Sequence, residues 1–385
     1  MSPLDRVRRF LDEHRPPTPC LVVDTALVAA RAREFDLEFP GARVRYAVKA
    51  NPAPAVVDAL IQAGAGFDVA GPAEIELCLA RGAEPASLAY GNTIKKRADI
   101  EFAYARGVRE FTSDAEGDVE NLARYAPGST VYLRLLPDTA SSVTPFGRKF
   151  GCDPALMLDL LLRAAELGLR PGVSFHVGSQ QLDVSAWDVA IAAAAKVFTQ
   201  AQAHGVEPRR LNIGGGFATT YREIAPSLAQ YAAGITASVR AHFPDRLPEL
   251  MLEPGRAIVA DAGVIRTEVI LVSRKSAADE RRWVYLDIGR YNGLAETENE
   301  AIAYRFEPLQ AGTGPGGPVI LAGPTCDGDD VLYQRTPYEM PLSLRAGDRF
   351  DIPGTGAYTA SYSSVGFNGI EPLRTYCLGS AADAR

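Results

Sequence analysis

From about residue 20 to residue 260, short apolar runs alternate with amphipathic stretches, and this alternation restricts the fold more than any other feature of the chain. CLVVD, ARVRYAVKA, GAGFDVA, LAYGN, EFTSD, VYLRLLP, GVSFHVGS, RLNIGGG and LMLEPGR read as strands or strand ends. Between them PAPAVVDALIQAG, PAEIELCLARG, PALMLDLLLRAAELG and WDVAIAAAAKVFTQAQAHG carry apolar residues at helical spacing, and several stop at Gly. Sustained strand–helix alternation predicts a parallel sheet covered by helices. Its length suits a (β/α)8 TIM barrel of about 250 residues. An open doubly wound sheet is the competing architecture. Beyond residue 260 the texture changes: TEVILVSRK, RRWVYLDI, PVILAGPT and DRFDIPG read as strands, PLQAGTGPGGP (308–318) as a loop. The expected organisation is a barrel over 22–260 and a mainly β C-terminal domain over 261–385, with residues 1–21 packing on the latter.

Composition narrows the function. A net charge of −7 argues against nonspecific nucleic-acid binding but leaves room for a small cationic ligand in an acidic pocket. No apolar run reaches the roughly 18 residues of a membrane span, and the charged start MSPLDRVRRFLDEHRPP has no signal-peptide core. The five cysteines are scattered without a CxxC pair, so no zinc site or disulfide framework is supported, and the cytoplasm is the simplest compartment. The four histidines show no metal-ligand spacing.

In a barrel, functional residues gather at the C-terminal ends of strands. Lys49 follows VRYAV, Asp68 follows GAGF, Arg134 follows VYL, His176 follows GVSF and Glu253 follows LML, so polar side chains occupy that position repeatedly. Lys49 is either a snorkelling lysine or a nucleophilic amine that condenses with an aldehyde cofactor. Gly214–Gly216 is either a plain turn or a backbone cradle for a phosphate. Glu253 and Arg256 form an ion pair at a turn, or else hold a pyridine proton and grip a phosphate. His176 is a core histidine or a flat ring stacked on a cofactor. Ser179 is a turn serine or a phosphate donor. Cys326 and Asp327, between glycines in GPTCDG, sit in a β-turn, or else supply a proton and bind a cationic substrate tail.

Taken together, YAVKAN (46–51), FDVAGPAEIE (67–76), KFG (149–151), SFHVGSQ (174–180), NIGGGF (212–217), EPGR (253–256), GPTCDGDD (323–330) and GAYT (356–359) resemble the fold-type III decarboxylases, the group of ornithine, lysine and diaminopimelate decarboxylases. The resemblance implies pyridoxal 5'-phosphate as cofactor, with its aldehyde on Lys49. It implies that His176 stacks on the pyridine ring and that Glu253 pairs with its nitrogen. Ser179, Gly214, Gly215, Gly216, Arg256 and Tyr358 would hold the phosphate, with Asp68, Glu74 and Arg134 in supporting positions. Cys326 and Asp327 would reach into the neighbouring subunit's site, making the active unit a head-to-tail homodimer. Loss of carbon dioxide would then be followed by protonation of the substrate Cα from Cys326.

CDGDD resembles the ornithine/lysine branch, whereas the diaminopimelate branch carries CESxD there. Asp327 would meet a distal ammonium. Laid without gaps against the eukaryotic enzymes, Glu300 falls where they place a substrate-binding aspartate; Glu296 and Glu298 compete for that role, and Tyr358 is a further substrate contact. L-Ornithine, giving putrescine, is the first expectation. L-Lysine, giving cadaverine, is the second, and a related diamino acid of specialised metabolism stays open. No tail-borne degradation signal is expected. A silent regulatory homologue would have lost the lysine, the phosphate grip or the cysteine. A racemase with a related barrel would pair the ring nitrogen with arginine and lack the CDG loop.

Overall fold

Eight parallel strands close into a barrel in the computed structural model, which describes residues 4–137, 141–145, 147–309 and 314–379. In chain order they are Arg43–Ala47, Gly66–Val69, Leu88–Tyr90, Glu110–Ser113, Thr130–Arg134, Arg170–Ser174, Arg210–Asn212 and Glu249–Leu252. Pairing of the first with the last, Arg43 with Met251 and Val44 with Leu252, closes the ring and removes the sheet edges. The doubly wound alternative is thereby excluded. Inside, Ala89, Tyr132 and Met251 from three strands pack together, a small residue beside two large ones.

Several covering helices start at a proline or at a side chain that caps their free N–H groups. Pro54, Pro72 and Pro154 stand in the first turn of their helices, where a missing N–H is harmless. Asp153 caps Pro154–Glu166 by accepting from Ala155 and Leu156, and Ser227 forms a reciprocal capping box with Gln230 at the start of Leu228–His242. Phe35, Trp187, Phe217 and Tyr231 form an aromatic cluster with ring centroids 5.2–5.4 Å apart.

Two compact units divide the chain: Ala29–Ala218 with Ala225–Ile258, and Met1–Val28 with Thr219–Ile224 and Val259–Arg385. The second is built on a mixed sheet ordered Glu307–Pro308, Arg349–Pro353, Gly263–Ser273, Arg282–Leu286, Gly316–Ala322, Val331–Pro341. Cys20–Asp24, read with the alternating segments, belongs here. It pairs antiparallel with Gly263–Ser273 and parallel with Arg374–Leu378. Residues 22–28 and 219–224 thus go with the β unit, because the barrel is already complete with the strand that begins at Arg43. Helix Asp5–His14 sets Val7 and Leu11 against Cys20, Val22 and Val264. Gly316–Pro318, expected in a loop, is already strand. Among the described residues no helix is long and apolar enough to cross a membrane, and no group of His, Cys, Asp and Glu could hold a metal ion.

Candidate active site

The barrel strands deliver a set of ionisable groups to one end. Lys49 lies in the short turn Val48–Ala50 that follows the first strand. Its two neighbours are buried, so the backbone is fixed while the amine is exposed. The turn is held from both sides: the Tyr46 hydroxyl donates to the Asn51 carbonyl at 3.1 Å, and the Ala53 N–H donates to the Asn51 side chain at 3.1 Å. YAVKAN therefore specifies a lysine on a rigid ledge. The Lys49 Nζ stands 3.9 Å from Asp68 Oδ2 at the end of the next strand.

Three carboxyl groups share this end of the barrel with Lys49 and Arg134. Burial raises Asp68, opposed by the charges of Lys49 and Arg134. Glu253 is pushed up to about 7, first by burial and then by the charge of Asp68. Glu74, whose Oε2 accepts the Ala70 N–H at 2.7 Å, is likewise pushed up to about 7 by burial. Asn212 fixes Glu253: its side-chain N–H donates to Glu253 Oε1 at 2.6 Å, while its Oδ1 accepts from Gly214 N–H at 2.9 Å. Sequence reading overlooked Asn212. The signal was there, since Asn212 is a polar residue two positions before GGG at the end of a barrel strand.

His176 follows the strand Arg170–Ser174 and accepts the Gly178 N–H on Nδ1 at 3.1 Å. Burial, then the charges of Arg134 and Lys49, hold its ring well below the usual imidazole range, so it is a neutral plate. Opposite it runs the glycine turn. A Cβ on Gly215 would lie 2.5 Å from the Glu253 carbonyl oxygen and 3.2 Å from His176 Nε2, and one on Gly216 would lie 2.5 Å from the Gly178 carbonyl. Gly214 and Gly216 also have φ of +68° and +98°, which side chains disfavour. Close by, Arg256 Nη2 donates to Ser179 Oγ at 3.3 Å, and Arg256 is buried. Lys49, Asp68, Glu74, Arg134, His176, Ser179, Gly214–Gly216, Glu253 and Arg256 all belong to the barrel unit.

The family model described as pyridoxal-dependent decarboxylase, pyridoxal binding domain, matches residues 25–260. The chain belongs to the pyridoxal-dependent decarboxylases. It is 33% identical to a lysine/ornithine decarboxylase of Selenomonas ruminantium, over 92% of this chain and 88% of that protein. It is 32% identical to the chloroplastic ornithine decarboxylase of Nicotiana glauca, over 91% and 82% of the two chains. The solved arginine decarboxylase of Paramecium bursaria Chlorella virus superposes with a TM-score of 0.87 at 26% identity, covering 97% of this chain and 99% of that one. The enzyme is thus a pyridoxal-phosphate-dependent amino-acid decarboxylase of the ornithine/lysine/arginine type. Its barrel residues fit the cofactor: an exposed amine on a fixed ledge, a neutral ring, a deep carboxyl near its midpoint at neutral pH, and a glycine turn that admits no side chain beside a buried arginine.

The remaining expected residues of the decarboxylase lie in the β unit. Tyr358 has φ +54° in the turn after Arg349–Pro353. Cys326 is exposed, and the Asp327 backbone and side chain cap the turn that follows it, accepting from Asp330 N–H at 3.2 Å and Asp329 N–H at 2.8 Å. Glu300 departs from its expected substrate-binding role. Its Oε1 accepts from the N–H groups of Gln334 and Arg335 at 2.9 and 2.8 Å, and its Oε2 from the N–H and hydroxyl of Thr336, both at 2.6 Å. Four donors fill a carboxylate's lone pairs, which leaves none for an ammonium. These bonds outweigh burial and bring Glu300 down to about 2. They also hold the left-handed pair Asn299 and Glu300, φ +54° and +61°, against strand Val331–Pro341.

The raised Glu253 carboxyl has a testable consequence for the cofactor-free protein. Between the ordinary 4.5 and about 7, the folded chain keeps a proton that the unfolded chain has lost. That contribution is complete below the lower value and disappears as pH rises through the upper one. Near pH 5, Glu253→Gln should therefore melt close to the parent protein. Near pH 8 the variant should melt higher, because the buried charge is gone. A melting difference that stays constant across this range would rule out the buried-carboxyl account.

Proposed function

We propose that this decarboxylase converts L-ornithine to putrescine and carbon dioxide, with L-lysine as second substrate. The observation that carries the reading is the acidic constellation around Cys326. Burial and then the charge of Asp327 raise the Tyr291 phenol, and the neighbouring Arg290 binds the Asp329 carbonyl at 2.7 Å and lies 3.4 Å from Glu298. The Cys326–Asp330 loop and the acidic turn Ala295–Glu300 are therefore tied together within the β unit. With Glu300 occupied, Asp327, Glu296 and Glu298 are the acids that would meet a distal ammonium. Kinship with the lysine/ornithine decarboxylase of Selenomonas ruminantium and the ornithine decarboxylase of Nicotiana glauca supports ornithine, and the former also supports lysine.

In this reading pyridoxal phosphate supplies an electron sink for the pair of electrons left when carbon dioxide departs. Lys49 would hold the cofactor through its side-chain amine. Glu253 keeps a proton on the pyridine nitrogen, and Asn212 keeps Glu253 aimed. His176 would offer the face of its neutral ring to the cofactor. Arg256, Ser179 and the Gly214–Gly216 turn would hold the phosphate. Asp68, Glu74 and Arg134 set the charge around the Lys49 amine. Cys326 delivers a proton to the substrate Cα, and both Cys326 and Asp327 serve the site of the second subunit in a head-to-tail homodimer. Retention of Lys49, Arg256 and Cys326 weighs against a silent regulatory homologue.

A panel of L- and D-ornithine, lysine, arginine and diaminopimelate, with the amine products identified, tests the substrate. The highest kcat/KM is expected for L-ornithine. A preference for diaminopimelate or arginine would overturn the assignment. Mixing Lys49→Ala with Cys326→Ala should restore part of the activity through hybrid dimers, and no recovery despite proven subunit exchange would refute the shared site.

A further inference from the structure

The Cys326 backbone is pinned independently of its thiol. The buried Asp330 carboxylate accepts from Thr325 N–H at 3.1 Å, Thr325 hydroxyl at 2.7 Å and Arg290 N–H at 2.8 Å, and the Gly323 N–H donates to the Asp330 carbonyl at 2.8 Å. Fixing the backbone leaves the thiol three staggered positions about χ1. The Cys326 Sγ lies 3.5 Å from Asn368 Oδ1 and donates to it.

Asn368 is held for that contact. It sits at the centre of the turn Phe367–Gly369 with φ +53°, closed by Gly369 N–H to Gly366 carbonyl at 3.0 Å and Ile370 N–H to Phe367 carbonyl at 3.0 Å. Phe367 packs on Tyr291 with ring centroids 4.5 Å apart, and the Ser364 N–H donates to the Tyr291 carbonyl at 2.9 Å. Next to Tyr291, the Arg290 N–H donates to Asp330 Oδ1 at 2.8 Å and the Arg290 guanidinium to the Asp329 carbonyl at 2.7 Å. The segment after residue 360 and the Cys326–Asp327 loop thus share one anchor.

We propose that Asn368 is a positioning residue that orients the Cys326 thiol as a proton donor. A carboxamide oxygen accepts from S–H, so it favours the χ1 well that points the thiol at Asn368. The bond is weak and surface-borne, so it biases the thiol about three- to tenfold rather than locking it. The inference rests on the reading of Cys326 as proton donor.

Asn368→Gly removes the acceptor without backbone strain, because glycine accepts this left-handed conformation. In the holoenzyme dimer, kcat should fall about three- to tenfold while KM changes less than about twofold. Iodoacetamide labelling of Cys326, followed by peptide mass spectrometry, should speed up by a similar factor. Asn368→Asp, which keeps an oxygen acceptor and tolerates the same φ, should recover most of the kcat. An unchanged labelling rate in Asn368→Gly, or an unchanged or increased kcat, would overturn the proposal. Cys326→Ala separates the two readings: full amine yield from that variant would remove the proton-donor assignment, whereas the labelling comparison reports on the Asn368 bond alone.

Discussion

Lys49→Ala is expected to leave purified protein without covalently held cofactor and to lower kcat by about 10⁴-fold or more, the combined effect of losing a nucleophile and a proton carrier. Charge and nucleophilicity have to be separated, because Lys49 also stands 3.9 Å from Asp68 and its charge opposes the burial that raises both Asp68 and Glu253. Lys49→Arg keeps a cation near Asp68 but cannot condense with an aldehyde. If the amine itself is required, Arg should be as inactive as Ala. If Lys49 is only a counter-ion, Arg should retain most of the rate. Borohydride reduction of the parent protein, followed by peptide mapping, should place the cofactor tag on the peptide containing YAVKAN. A tag on another lysine, or an active Lys49→Arg, would end the proposed chemistry.

The barrel was legible because its cause is periodic and local. Ring strands such as Gly66–Val69, Leu88–Tyr90 and Thr130–Arg134 are short, largely apolar runs, helices follow most of them, and Lys49, Asp68, Arg134, His176 and Glu253 stand at or just after strand ends. Even so, the alternation alone left the open sheet as a competitor, since closure depends on pairing between Arg43–Val44 and Met251–Leu252, which no local window contains. Cys20–Asp24 shows the same limit. Its five residues are all buried, as a barrel strand's would be, but its partners lie near residues 265 and 375.

The β unit was less readable. Strand Val331–Pro341 has eleven residues yet contains Gln334, Arg335 and Pro337, and proline normally argues against a strand. Glu300 failed for a different reason. Ungapped register gives the position of a residue but not the direction of its side chain, and here the carboxylate turns to three backbone N–H groups of Gln334–Thr336. Asn212 and Asn368 act through other side chains: the first opens NIGGGF without a role of its own being legible there, and the second lies outside every motif.

At the other end of the barrel, Glu110→Ala is expected to destabilise the protein by about 3–5 kcal/mol, the usual consequence of breaking a buried ion pair from one side. Glu110 is only 8% exposed and begins the strand Glu110–Ser113. Its carboxylate receives Arg43 Nη1 at 2.8 Å and Arg45 Nη2 at 3.2 Å, and Arg210 Nη1 lies 3.5 Å away. Arg45 is 5% exposed, and burial lowers its guanidinium while Glu110 is the foremost group holding it charged. Truncation would strand that cation inside the barrel floor. For a domain of this size the melting temperature should fall by roughly 6–20 °C. Borohydride labelling of Lys49 at low temperature should persist, since the damage lies at the opposite strand ends. The cause can be isolated by a double-mutant cycle: in an Arg45→Met background Glu110→Ala should be markedly less harmful, because no buried charge is left uncompensated. Equal penalties in both backgrounds would mean that lost packing, rather than the orphaned guanidinium, sets the effect.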